Sequence, residues 1–173
     1  MNCDGSKFSI IDINGIVSFY DLKNDTDGLG VGQHLSIEKK EVWSIIWSVD
    51  NPTICAMMEK NRLIVMKDFE AEEPILSAGY LCDFTDLEVK SVLLDEILKD
   101  PEEIKQISEM FVTCEQKFLR ETREILTSAS LKDAVDFVEK NSHPRLWKLI
   151  TEASLDKFNY GVAERAFVKN EDY

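Results

Sequence analysis

At 173 residues, 44% hydrophobic and 31% charged, the chain has globular composition and room for one sizeable domain or two small ones, which excludes an extended disordered polypeptide. The formal charge of −13 is shared, with 8 basic and 16 acidic side chains in residues 1–90 and 12 and 17 in residues 91–173. Basic residues outnumbered by carboxylates exclude a surface that neutralises the phosphates of nucleic acid or of an anionic membrane.

The longest apolar run is only a few residues, and no basic segment followed by an apolar core opens the chain, so neither direct membrane insertion nor a signal peptide is expected. Cys3, Cys55, Cys82 and Cys114 lie far apart, without a Cys-x-x-Cys pair and with only His34 and His143 as helpers. That spacing predicts reduced, partly buried thiols in an intracellular protein, with neither a disulfide framework nor a zinc site.

The first half reads as short strands. Phe8–Asp12 and Ile16–Tyr20 are β-branched and aromatic runs around Asn14-Gly15, the dipeptide of tight hairpins. A polar, glycine-bearing loop then runs to about Gln33. A second set comprises Val42–Trp47, Ile54–Met58 and Leu63–Met66, with turns at Asp50-Asn51-Pro52 and Lys60-Asn61, and Ile75–Ala78 and Tyr80–Asp83 are weaker strands. Ile10-Ile11 falls opposite Ala56-Met57 and Phe19-Tyr20 opposite Val65-Met66, an offset of about 46 residues that suits a propeller blade. Trp47-Ser48-Val49-Asp50-Asn51 and Tyr20-Asp21-Leu22 are degenerate WD-repeat phrases. A plain antiparallel sheet of short strands is the alternative. About 85 residues of strand are too few for a closed propeller, which needs at least about four blades of ~40 residues.

Thr85-Asp86-Leu87-Glu88 has the spacing of a helix capping box, with Thr85 accepting from a helix amide, Glu88 reaching back, and Phe84 and Val89 closing a hydrophobic staple. Val89, Val92, Leu93 and Ile97 continue it as the stripe of a joint helix that stops at Asp100-Pro101. From Glu102 to Leu126, Ile104, Phe111, Phe118 and Ile125 recur every seven residues and predict one long helix of about 36 Å. Ser130 caps a further helix carrying Leu131, Ala134, Val135 and Val138.

After a stop at Asn141–Pro144, Trp147 and Ile150, followed by Ala163 and Phe167, stand at tetratricopeptide spacing. They predict a helical hairpin with its turn at Lys157–Gly161, packed through Trp147, Ile150, Ala163 and Phe167. The expected fold is therefore mixed β then α: a partial WD-repeat β-propeller over residues 1–84, its last one to two blades, followed over 85–173 by the start of a tetratricopeptide-like α-solenoid.

Chemical sites are hard to find. Lys23–Gly28 has Asp25 and Asp27 at calcium-loop positions, but Lys23 and His34 stand where acidic ligands belong. Gly28–Gly32 lacks the Lys-Ser/Thr of a phosphate cradle. His143 reads as a helix cap. Asp12, Asp83 and Asp86 read as turn or cap residues, against the alternative of a small hydrolase using clustered aspartates. No catalytic, cofactor-binding or metal residue is assigned, and no cofactor is expected.

The run Trp47–Pro52, then Ala56–Lys60, Glu72–Ile75, Gly79-Tyr80 and Asp86–Glu102, with His143–Ile150 and Ala163–Phe167, closely resembles one family. That family is the WD-repeat and tetratricopeptide subunit of intraflagellar transport complex A, at the junction of its second propeller with its α-solenoid. The resemblance covers most of residues 8–173, with 103–129 following it loosely, and implies that this sequence is a piece of a longer protein, a truncated product or a misjoined gene. It further implies a scaffold without an active site, acting in retrograde intraflagellar transport, cilium assembly and ciliary entry of membrane proteins. The implied partners are other complex A subunits and ciliary membrane-protein cargo or adaptors, and the implied locations are cytoplasm, cilium or flagellum, and basal body. A vesicle-coat scaffold with the same propeller-then-solenoid plan is the alternative within the scaffold class.

Overall fold

A computed structural model describes residues 1–23, 32–99 and 107–170. The chain divides into two compact units, Met1–Cys114 and Glu115–Tyr173.

In the first unit, strands β1 (Lys7–Ile11), β2 (Val17–Asp21) and β3 (Gln33–Lys39) form an antiparallel sheet in sequence order. The β1–β2 turn is wider than the two-residue hairpin that Asn14-Gly15 suggests. The pairing closes at Ile11 and Val17, and Asp12 donates its amide to Ile16 while its carboxylate accepts from the amides of Asn14 and Ile16. Gly15 supplies the positive φ of 75°. A Cβ there would lie 3.0 Å from the Val42 carbonyl, which leaves glycine the one residue that fits.

The second sheet takes β4 (Val42–Trp47), β5 (Ile54–Glu59), β6 (Arg62–Lys67) and β7 (Glu70–Ala71) in order, and β8 (Ile75–Leu76) also pairs with β6. Ile54, Cys55, Ala56, Met57 and Met58 are all buried, so β5 is covered on both faces and reads as an unbroken apolar run. Alternation separates the two faces. Cys55 and Met57, with Met66 and Ile64 opposite them, join Val17, Phe19, Val42 and Trp47 in one core. Phe19 meets Trp47 and Phe69 edge to face, with centroids 6.1 and 5.1 Å apart. The other face of β5 and β6, with Ile54, Met58 and Leu63, is equally buried. Side chains of this size each contribute about 1.5–3 kcal/mol on burial, so the doubly covered β5 holds the unit together.

The third sheet holds β9 (Tyr80–Thr85), β10 (Glu88–Val92) and β11 (Phe111–Glu115), with β10 central. Strand β9 lies against β4 and β5. Three stacked antiparallel sheets of short strands are a partial β-propeller.

Here the structure corrects the reading of the joint. Thr85-Asp86-Leu87-Glu88 is a β-hairpin and not a capping box: Thr85 pairs with Glu88 and Phe84 with Val89 across the strands, and Asp86 and Leu87 have φ of 54° and 61°. Two consecutive positive φ values make the turn whose twist matches paired strands. Val89 and Val92 therefore belong to a strand, and among the described residues the helical part of the expected joint is α1 (Leu94–Lys99), which buries no residue. Its expected stop at Asp100-Pro101 lies outside the described residues.

The long helix over 102–126 is also corrected. Phe111–Glu115 is a strand preceded by a 3-10 turn at Ile107–Met110, and the helix begins at Lys117. Phe111-Val112-Thr113-Cys114 is β-branched and aromatic, and pairing with β10 prevails over the seven-residue recurrence. The helical part consequently starts some thirty residues later than Thr85, and the division between units falls at 114/115 instead of 84/85.

The second unit contains α2 (Lys117–Ser128), α3 (Leu131–Lys140), α4 (Pro144–Asp156) and α5 (Tyr160–Asn170). Short connections make α2 and α3, and α4 and α5, neighbours, and α4 also packs on α2 and α3. Ser130 caps α3 in a capping box with Asp133. Buried Leu119, Ala134, Val138, Leu146, Trp147, Ile150, Ala163 and Ala166 form the apolar stripes of this unit.

Candidate functional site

The joint residues are brought together, though as strand partners. Phe84, Leu87 and Val89 are buried, while Thr85 donates its hydroxyl to Asp83 at 3.0 Å. The turn is tied to the connection between β4 and β5. The Asp86 amide donates to the Asp50 carboxylate at 2.6 Å, the Ser48 hydroxyl to the same carboxylate at 2.5 Å, and the Val49 amide to the Phe84 carbonyl at 3.0 Å. Asp50 is the acidic residue of the Trp-Ser-Val-Asp-Asn phrase, so this WD-like signature locks one sheet to the next.

In the helical unit, Trp147, Ile150 and Ala163 are buried, at 3%, 0% and 2% exposure. The Trp147 indole N–H donates to the Ser142 hydroxyl at 3.0 Å, which anchors the ring at the start of α4. Phe167 differs. It is 38% exposed, and Ala166 takes the inward position on α5. Val135, Trp147, Val162 and Val168 border a cavity of about 330 Å³ rimmed by Glu139, Glu164, Arg165 and Lys169.

The expected turn at Lys157–Gly161 is shorter, and its left-handed residue is Phe158, with φ of 55°. Asn159 donates to the Ser154 carbonyl and Phe158 to that of Leu155, the pair of bonds with which a helix commonly ends on a glycine. Gly161 instead lies inside α5.

The acidic candidates are engaged separately. Asp12 is held below the usual carboxylate range by the Ile16 amide, and then by Asn14. Asp83 accepts from Thr85 and from Lys90 at 3.3 Å. His143 caps α4, its Nδ1 accepting from the Arg145 amide at 3.1 Å ahead of Pro144. The described residues bring together no group of three His, Cys, Asp or Glu side chains able to hold a metal, and contain no helix long and apolar enough to cross a membrane. The calcium-loop positions Asp25 and Asp27 and most of the glycine cluster lie outside the described residues. None of the four cysteines is in a disulfide; Cys3 and Cys82 are exposed, and burial pushes the thiol of Cys55 up to about 12.

Of the comparisons with known proteins, one follows the division of the chain and the others run across it. A family model described as the WDR35 second beta-propeller matches residues 1–115. The chain is 46% identical over 177 residues to WD repeat-containing protein 35 of Mus musculus and 45% over 177 to that of Rattus norvegicus, in each case over 100% of its length. It is 46% identical over 172 residues, 97% of its length, to the Homo sapiens protein of the same description. Those matches take in 14–15% of the relatives, so the chain spans about 15% of the length of the curated relatives it matches.

Proposed function

Since the chain belongs to the WD repeat-containing protein 35 family, we propose that it is a non-enzymatic scaffold segment of intraflagellar transport complex A. Its work is retrograde intraflagellar transport, cilium assembly and ciliary entry of membrane proteins, in the cytoplasm, the basal body and the cilium or flagellum. Partners are other complex A subunits and membrane-protein cargo or its adaptors. The observation that carries the reading is the 46% identity along the chain's whole length.

The structure supports a scaffold in physical terms. Carboxylates that catalysis would need are spent on turns: Asp12 and Asp50 accept backbone amides, and Asp83 pairs with Thr85 and Lys90. The α4–α5 pair is the first tetratricopeptide-like hairpin in this proposal. Exposed Phe167 and the cavity beside Trp147 then receive the next helices of a full-length family member, because a repeat hairpin cannot bury both faces alone.

Affinity purification of a full-length family member from ciliated cells tests the assignment. The expected result is recovery of the complex A subunits as a stable set. Recovery of vesicle-coat subunits instead, or of no other subunit, would contradict it.

A further inference from the structure

Trp43 and Tyr80 stand outside the core of the first unit, 42% and 39% exposed, with ring centroids 5.0 Å apart and planes at 66°. The rings pack edge to face, and each keeps part of its surface open to solvent. We propose that they form a pocket for a cationic side chain, an arginine or lysine, presented by a partner protein. The inference stands on these residues and does not depend on which assembly the chain joins.

The geometry suits a single side chain. Trp43, Tyr80, Lys60, Asn61, Ala78 and Asp95 line an open depression of about 230 Å³, smaller than the roughly 300–1,000 Å³ typical of small-molecule sites. The Trp43 indole N–H donates to the Lys60 carbonyl at 2.8 Å, so the ring is fixed before anything binds.

The electrostatics select the sign. Aromatic faces carry partial negative charge and attract ammonium and guanidinium groups, with tryptophan the strongest of the three rings. Asp95 adds a full carboxylate charge at the pocket wall. Among the described residues of the lining the cation is Lys60, whose exposed ammonium pairs with Glu41 at 2.8 Å. A chain with net charge −13 draws basic partners toward it at longer range. An acidic partner would meet the Asp95 carboxylate.

The test titrates the 173-residue chain with N-acetyl-arginine amide, N-acetyl-lysine amide and the neutral N-acetyl-citrulline amide, following the Trp43 indole N–H by NMR, assigned with Trp43→Phe. Saturable shifts of the Trp43 signal are expected with the two cations and not with citrulline, weakening as salt screens Asp95. Tyr80→Leu and Asp95→Asn should each weaken binding about two- to fivefold. Unchanged Trp47 and Trp147 indole signals report an intact fold. Equal response to citrulline, no response to either cation, or full affinity in both variants would overturn the proposal.

Discussion

The turn at Asp86-Leu87 sets two forces against each other, and adjacent substitutions separate them. Both residues have positive φ, which costs an L-residue about 1–2 kcal/mol. Glycine removes that strain and costs about 0.5–1 kcal/mol in chain entropy. At Asp86, which is exposed and whose amide, retained in glycine, makes the bond to Asp50, the balance favours glycine. Asp86→Gly should leave stability unchanged or raise it by up to about 1 kcal/mol. Leu87, however, is 1% exposed, and truncating a buried leucine costs about 2–5 kcal/mol. Leu87→Gly should therefore destabilise the first unit by about 1–5 kcal/mol, despite introducing the residue that such a turn prefers. Urea unfolding of both variants, followed by the β-sheet circular dichroism signal, reads the two signs. Stabilisation by Leu87→Gly would refute the claim that burial of Leu87, and not turn propensity, places the hairpin.

Other consequences are as concrete. Trp147→Ala should cost the helical unit about 3–5 kcal/mol, seen as lost helicity and a lower melting temperature. Phe158→Gly should stabilise the same unit by about 0.5–1 kcal/mol, because Phe158 is 76% exposed and has left-handed strain to lose, and a differential melt against wild type measures it. Asp4, Asp12 and Asp133 are held below the usual carboxylate range by Ser6, by the Ile16 amide and by Ser130 respectively. Their folded pKa values lie below the unfolded ones, so their stabilisation is full above about pH 4 and drains away as pH falls further, and Asp133→Asn should flatten the acid limb of a stability–pH profile. Thiol labelling should modify Cys3 and Cys82 quickly and Cys55 only on unfolding.

Much of the first unit was legible because its strands carry their own signals. Val42–Trp47 stands as expected, and Ile54–Met58 and Leu63–Met66 each lengthen by one residue or two. What the sequence concealed lies where one pattern serves two structures. Thr-x-x-Glu with flanking apolar residues describes a capped helix and equally a two-residue hairpin with cross-strand pairs, and Asp50, distant in sequence, decides between them. Strand β3 escaped notice because its polar residues face outward while Leu35 and Ile37 alone meet the core. The aromatic pocket gave no local signal, since Trp43 and Tyr80 meet only once sheets two and three are packed. In the helical unit, the spacing that singled out Trp147, Ile150 and Ala163 also singled out Phe167, but α5 turns Ala166 inward and leaves Phe167 at the surface.

In the role proposed above, this segment contributes structure to its assembly and performs no chemistry of its own. The direct test replaces a full-length family member in ciliated cells with a version lacking the segment that corresponds to residues 1–173, and with a second carrying the changes equivalent to Asp12→Asn and Asp83→Asn. Quantifying the complex A subunits recovered with each is the measurement. The account predicts that recovery collapses with the deletion and stays at the wild-type level with the paired aspartate changes; full recovery from the deletion, or collapse from the aspartate changes in a protein that still melts normally, would contradict it.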